Sequence, residues 1–299
     1  MYSKVDLHSH TTASDGTYPP RALVETAIRR GLRVLAITDH DSTEGIPEAL
    51  ATARGSGLVL WPGVEISTDV PGAEVHILGY CVEFRNPVFQ GTLRRLRESR
   101  VDRARRMVAK LAKLGLPVAW QRVQEIAGNG AIGRPHVAQA LLERGYISSL
   151  PEAFNRYIGR TGPAYVERYR LTPEEAVQLV VGAQGFASLA HPVNVGPAAE
   201  TGEQLDLEAL LPRLVPAGLA GIEAYYTGYP PEIVQQLLRV AGRWNLVATG
   251  GSDFHGRGTL TVGVGEVAVP EQVIDQVRER HARQQRERAA QGKPLRQSA

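Results

Sequence analysis

The chain repeats one arrangement five times: a short apolar run whose end carries His, Asp or Glu. Val5-Asp6-Leu7-His8-Ser9-His10 comes first, followed by the runs Val34–Asp41, Leu58–Glu65, Phe186–Pro192 and Leu246–His255. Short apolar runs bounded by turn residues read as strands. Alternate residues on a strand share a face, so His8 and His10 can reach one cation together. A lone His-x-His is a weak signal, and recurrence at the ends of successive strands is what gives it weight. Helical segments separate most of the runs. The first has Pro19-Pro20 near its start and Gly31 just past its end, as helix termini prefer. Strands alternating with helices restrict the chain to an α/β fold, a largely parallel sheet or barrel covered by helices.

Strands are expected at Lys4–His8, Arg33–Thr38, Leu58–Ile66, Glu74–Glu83, Phe186–Ala190, Gly221–Tyr225, Leu246–Thr249 and Val262–Val269. Around Asn86 the pattern changes. Residues 88–114 form one long helical candidate rich in arginine, followed by shorter ones at Trp120–Ala127, Pro135–Arg144 and Pro151–Ile158. The arginines of residues 94–106 read as the wet face of that helix. Residues 86–163 therefore form a helical insertion, a cap carried by a barrel built from residues 1–85 and 164–275. A helix opening at Thr172-Pro173-Glu174-Glu175 has a capping-box signature and marks the return of barrel alternation.

The chain has 299 residues, 43% of them apolar and 22% charged, which is enough to bury a barrel-sized core. No apolar run approaches the roughly 20 residues needed to span a bilayer, so no membrane partner is expected. The N-terminus enters a strand with no signal-peptide pattern, which predicts a cytoplasmic protein. A single cysteine, Cys81, leaves no internal disulfide and no thiolate metal cluster. The net charge is +3, and the tail from Gln276 to Ala299 alone contributes +5, leaving about −2 for the rest. That basic tail reads as a frayed helix running into disorder, a solvated segment rather than a nucleic-acid arm.

Collecting the imidazoles and carboxylates gives His8, His10, Asp15, His40, Glu65, His76, His191, Asp253 and His255. Nine such groups exceed the needs of one metal and suit two or three. Mixed His and carboxylate donors without sulfur favour Mn, with Fe or Zn as alternatives, over Ca or Mg. In βα barrels, functional side chains gather at the C-terminal ends of strands, where most of these residues fall. Taken alone, His76 reads as a core residue. Asp39 and Asp41 flank His40 and are expected to cap the next helix or to orient ligands.

The motifs DLHSH with a following SDG, then ITDHDS, PGVEIS, VHILGY, LAHP and GSDFH resemble, in order, those of the polymerase and histidinol phosphatase (PHP) family. The resemblance implies a distorted (β/α)7 PHP barrel with a helical insertion domain and a trinuclear metal site. One metal would take His8, His10, Glu65 and Asp253, a second Glu65, His76 and His191, and a third Asp15, His40 and His255. A metal-bound hydroxide would be the nucleophile. Length argues against a replicative polymerase subunit, and histidinol phosphatases lack such an insertion. The segments Ile132–His136 and Tyr157–Tyr165 resemble the subgroup acting on nucleoside 3′,5′-bisphosphates and on short 5′-phosphorylated RNA. The resemblance thus implies hydrolysis of a 3′ phosphoester, with the 5′ phosphate held elsewhere. Arg134, His136, Arg160 and Tyr165 are the substrate-binding candidates, and Arg257 beside His255 is another. Arg134 and His136 also fit an ordinary helix start around Pro135. The competing readings are a phosphatase for another small ester, such as histidinol phosphate, and a non-catalytic metal-binding scaffold.

Overall fold

A computed structural model describes residues 2–70, 73–128, 132–193, 205–256 and 262–290. The chain divides into two compact units, one of Met1–Gly91 with Arg170–Ala299 and one of Thr92–Tyr169. The pattern change near Asn86 marks where a long helix begins in the first unit, and that helix then runs on into the second.

The first unit is built on seven strands: β1 (Val5–Asp6), β2 (Val34–Ile37), β3 (Val59–Val70), β4 (Ala73–Tyr80), β5 (Phe186–Leu189), β6 (Gly221–Tyr226) and β7 (Val247–Gly251). They pair in sequence order. The two end strands nearly close the sheet into a barrel through backbone bonds: Leu7 N–H donates to Gly250 O at 3.1 Å and Asp253 N–H to His8 O at 2.9 Å. In chain order the helices are α1 (Pro20–Arg29), α2 (Ile46–Ala53), α3 (Pro87–Lys113), α4 (Trp120–Ala127), α5 (Arg134–Glu143), α6 (Leu150–Ala153), α7 (Pro173–Gly182), α8 (Leu207–Ala217), α9 (Pro231–Arg243) and α10 (Val273–Ala290). Every residue of β2 and of β5 is buried, as expected of strands covered on both faces. The expected capping box opens α7, where Thr172 Oγ1 accepts from Glu175 N–H at 3.2 Å.

Two expectations need correction, and one strand departs from the parallel majority. β4 runs antiparallel to both β3 and β5. β3 ends at Val70 and β4 begins at Ala73, a connection far shorter than the dozen or so residues a parallel crossover needs. Residues 262–269 form no strand. Gly265 lies in the left-handed region at φ +77°, and Asp6 Oδ2, not a strand, takes its N–H at 2.7 Å. The alternating valines there record burial instead, since Val264 and Val269 pack into the core from a loop. The first part of the tail is also ordered. Residues up to Ala290 are helical, Val277 is buried, and the Gln184 carbonyl accepts from Gln285 Nε2 at 2.8 Å.

In the second unit α3 to α5 and the turn that follows α6 bury Met107, Leu111, Val123, Val137, Leu141 and Ile158 together. The arginines of α3 are not uniformly wet: Arg103 is buried, and Arg95 and Arg105 lie over the rings of Tyr169 and Trp120. A π-helical turn at Phe154–Ile158 ends at Gly159, where a Cβ would sit 2.3 Å from Phe154 O.

β1 and β7 approach so closely that a Cβ on Gly251 would lie 2.4 Å from His8 N and 2.5 Å from His8 Cβ. Gly251→Ala should therefore cost about 1–3 kcal/mol, the range for overpacking, in a urea titration followed by circular dichroism. Unchanged stability would mean that the strands part without strain. Deleting residues from Val277 onward should lower the melting temperature as well, because it removes a buried valine and the helix contacts to Gln184; an unaltered melt would show that α10 contributes nothing to the fold.

Candidate metal centre

The nine candidate ligands come from every strand of the barrel except β6, and the structure brings all nine together. His8 and His10 follow β1, His40 follows β2, His191 follows β5, and Asp253 and His255 follow β7. Glu65 and His76 differ, because they lie within strands. The reversal of β4 explains His76: an antiparallel strand presents its first half where its neighbours present their ends. Glu65 pairs with Leu78, and His76 lies two residues from Leu78, so both side chains fall on one face as diagonal neighbours.

Glu65 is the hub. Its Oε2 lies 3.3 Å from His8 Nε2, 3.2 Å from His10 Nε2 and 3.1 Å from His40 Nδ1. Its Oε1 lies 2.7 Å from His76 Nδ1 and 3.1 Å from His191 Nε2. Asp253 Oδ1 lies 3.2 Å from His8 Nε2 and 3.1 Å from His10 Nε2. To one side, Asp15 Oδ1 approaches His255 Nε2 at 3.3 Å, and Asp15 Oδ2 approaches His40 Nε2 at 3.8 Å. Three groupings bring donor atoms close enough to share an ion: His8, His10, Glu65 and Asp253; His10, Asp15, His40 and His255; and His40, Glu65 and His76. The first coincides with the set expected for one metal. The second adds His10 to the set expected for the third. His191 reaches the centre through Glu65 Oε1 rather than through a grouping of its own.

The fit to a cation can be tested on these atoms. His8 Nε2, His10 Nε2, His40 Nδ1, Glu65 Oε2 and Asp253 Oδ1 are all buried, and none makes a hydrogen bond among the described residues. Buried polar atoms are rarely left so, yet these five face one another. Donors bound at about 2.1 Å to a common ion stand roughly 3.0–3.4 Å apart, which is the spacing found here. Imidazole nitrogens and carboxylate oxygens in this mixture suit a divalent transition metal. The donor set fits.

Charge in the cluster follows from the same contacts. Burial alone would keep His10 neutral, but Asp253 and Glu65 outweigh it and push its pKa up to about 10. Burial dominates at His40 and lowers it to about 4. Despite desolvation, the imidazoles of His40, His255 and His10 hold the Asp15 carboxyl well below the usual carboxylate range. Asp253 likewise titrates well below its ordinary value, because His8, His10 and His255 override its burial.

The surroundings hold the ligands in place. Asp39 accepts from Thr11 N–H at 2.7 Å, Thr11 Oγ1 at 2.7 Å and Ser14 Oγ at 2.6 Å, and so fixes the loop that carries Asp15. Asp41 Oδ1 accepts from Ser67 N–H at 3.2 Å. Neither aspartate caps α2, whose N-cap is Gly45 without a side-chain bond. Both Asp41 and Asp253 sit at positive φ, +49° and +52°, a conformation that non-glycine residues hold at functional sites when their surroundings enforce it. Two residues that the sequence reading passed over also belong here: Glu223, fully buried, and Tyr226. A lone acid inside the apolar run Gly221–Tyr226 was the available signal, since burying a carboxylate demands a partner.

The substrate candidates lie in the helical unit. Arg134 begins α5 with its guanidinium over the Phe154 ring, and His136 Nδ1 accepts from Gly133 N–H at 3.0 Å, so this histidine also closes the helix start. Tyr165 Oη donates to Glu167 at 3.2 Å, and Arg160 follows Gly159 after the π-helical turn, half-buried. Arg257 lies outside the described residues.

Residues 6–167 match the PHP domain family. The chain is 36% identical over 252 residues to the 5′-3′ exoribonuclease Rnm of Salmonella typhimurium, covering 84% of each chain. It is 33% identical over 271 residues to the 3′,5′-nucleoside bisphosphate phosphatase of Chromobacterium violaceum, covering 90% of this chain and 93% of that one. Among solved structures, a Bifidobacterium adolescentis protein assigned as a metal-dependent phosphoesterase superposes with a TM-score of 0.79 at 33% identity, covering 92% and 95% of the two chains.

The charge pattern makes one prediction. His10 titrates at about 10, above its ordinary 6.5, so it is protonated near neutral pH, whereas an imidazole that binds metal must be neutral. Its contribution to the metal-free fold is complete below 6.5 and is lost as pH rises through about 10. Loading with Mn²⁺ should therefore release about one proton or more per chain near neutral pH, and affinity should rise with pH. Calorimetric titrations in buffers of differing ionisation enthalpy count these protons. A count of zero would show that no charged imidazole is displaced.

Proposed function

The chain belongs to the PHP domain family, and on that premise we propose that it is a phosphoester hydrolase that removes the 3′ phosphate of nucleoside 3′,5′-bisphosphates and cleaves 5′-phosphorylated RNA from its 5′ end. The observation that carries this reading is the set of five buried polar atoms that face one another without hydrogen bonds. His8, His10, Asp15, His40, Glu65, His76, His191, Asp253 and His255 would hold two or three divalent ions, with Mn the first choice. Bound ions of this kind activate water at neutral pH, neutralise phosphate oxygens and stabilise a leaving alkoxide.

The protein's own residues define the rest. Glu65 spans the two halves of the centre through its two oxygens and keeps them in fixed register. Asp39 positions the loop from Thr11 to Ser14, and with it Asp15. His255 Nδ1–H donates to Asp253 O at 2.9 Å, which leaves Nε2 as the nitrogen turned toward Asp15. No serine or cysteine near the cluster is needed as a covalent nucleophile. The 5′ phosphate requires a cationic partner of its own. Arg134 supplies a planar fork matched to phosphate oxygens, and the N-terminus of α5 favours an anion. His136 supports the same role through Nε2, since its Nδ1 is occupied by Gly133. Arg160 and Tyr165 complete the candidate set.

Purified protein supplied with Mn²⁺ should release phosphate from a 3′,5′-bisphosphonucleotide and stop on chelation. His10→Ala and Asp253→Ala should each abolish turnover while the fold survives. Full turnover in metal-free protein, or in both variants, would remove the basis for this reading. Arg134→Ala should lower kcat/KM for the bisphosphonucleotide by about 10²-fold, roughly 3 kcal/mol, and leave the low activity on a substrate lacking the 5′ phosphate unchanged. Equal losses on both substrates would mean that Arg134 does not read the 5′ group.

A further inference from the structure

β6 supplies none of the nine candidate ligands, yet it sends two polar side chains to the centre. Glu223 and Tyr226 are three residues apart, and on a regular strand they would point to opposite faces. A bulge corrects this. Glu223 pairs with Thr249 and Tyr225 pairs with the next residue, Gly250, so Ala224 is the extra residue. Bulges re-aim side chains in this way. Glycine at 250 makes room for it, because a Cβ there would lie 2.4 Å from Tyr225 O.

Each re-aimed side chain meets the far side of a candidate ligand. Glu223 Oε2 accepts from His191 N–H at 2.7 Å. Glu223 Oε1 lies 3.1 Å from His8 Nδ1. A carboxylate only accepts, so His8 carries a hydrogen on Nδ1, and Nε2 is the nitrogen whose lone pair is left for an ion shared with Glu65 and Asp253. Tyr226 Oη donates to Asp253 Oδ2 at 2.8 Å, which leaves Oδ1 turned toward His8 and His10. Both oxygens of Glu223 and the far oxygen of Asp253 are thus engaged away from the centre.

We propose that β6 is the orienting strand of the metal centre, with Glu223 and Tyr226 as positioning residues: Glu223 selects the His8 tautomer and fixes the His191 backbone, and Tyr226 aims Asp253. The proposal rests on the metal reading above. Outer partners of this type typically account for 10- to 100-fold in metal affinity.

Glu223→Gln provides a sharp test. The amide keeps one acceptor for the short bond from His191 N–H and turns its N–H₂ group toward His8 Nδ1. Nδ1 must then accept, and the hydrogen moves to Nε2, the nitrogen that should face the ion. Full-length Mn²⁺-loaded protein is equilibrated against chelator buffers that set free Mn²⁺, and retained metal is read by atomic emission. Glu223→Gln should shift the midpoint to about 10- to 100-fold higher free Mn²⁺, and Tyr226→Phe should shift it by about tenfold. The melting temperature of the chelated variants should stay near that of the chelated parent. A parent-like midpoint in Glu223→Gln overturns the role of Glu223, and one in Tyr226→Phe overturns that of Tyr226. A shift matched by an equal loss of stability in the chelated variant overturns the proposal, because that marks a merely structural contact. If Glu223→Gln does not fold, Tyr226→Phe, which keeps its ring, decides the matter. A parent that holds no Mn²⁺ refutes the metal reading itself and is distinguishable at once.

Discussion

Everything at the barrel mouth depends on keeping one carboxylate, Glu65, out of water. The side chain is 1% exposed, and five imidazoles surround it. A buried unpaired carboxylate costs several kcal/mol, so positive charge has to be brought to it. Its two oxygens divide that demand: one faces His8, His10 and His40, the other His76 and His191. The backbone repeats the arrangement, since Glu65 N–H donates to Asp39 O at 3.2 Å and Glu65 O accepts from Asp41 N–H at 2.9 Å. The strand carrying Glu65 is thereby tied to the loop that carries His40, and its hub position follows from both kinds of bond.

The candidate site was largely legible in the sequence because every donor but Asp15, which sits in the loop after β1, stands beside an apolar run, and the end of a barrel strand is a fixed place in space. His76 was the hardest of the nine to read, for it precedes the apolar residues Ile77 and Leu78 instead of following them. Its position makes sense once β4 is seen to run backwards. Glu223 and Tyr226 escaped notice for a different reason. Their convergence is created by one unpaired residue, Ala224, and strand periodicity treats every residue as paired. Asp6 illustrates the same limit. Inside an apolar strand it looks like an interruption, yet it accepts from Ser252 N–H at 2.9 Å and Gly265 N–H at 2.7 Å, so it joins segments far apart in the chain.

The fold was legible to a similar degree and for related reasons. Helix ends marked by Pro, Gly or a capping box were placed well, because those residues act within one turn. The stretch 262–269 misled because alternation reports which side chains are buried, and a loop lying across a core can alternate as well as a strand can. Burial of Val277 and the bonds of α10 to Gln184 likewise depend on a partner surface that charge counting along the tail does not reveal. The two histidines outside the nine show the contrast. His136 closes a helix start and His281 bonds to a backbone carbonyl, and neither follows an apolar strand.

The antiparallel ladder of β3 and β4 also sets which length changes this protein could survive in evolution. Eight consecutive residue pairs, from Gly63 opposite Tyr80 to Val70 opposite Ala73, hold the two strands in step. Inserting or deleting one residue between Glu65 and the end of β3, or between the start of β4 and His76, leaves both donors in register with the barrel. The change can be absorbed where the strands meet. One residue gained between His76 and Tyr80 would turn His76 to the opposite face while every apolar contact up to Tyr80 survived. Lineages of this fold should therefore vary in length beyond Glu65 and His76 and keep a constant count of residues between those donors and the barrel.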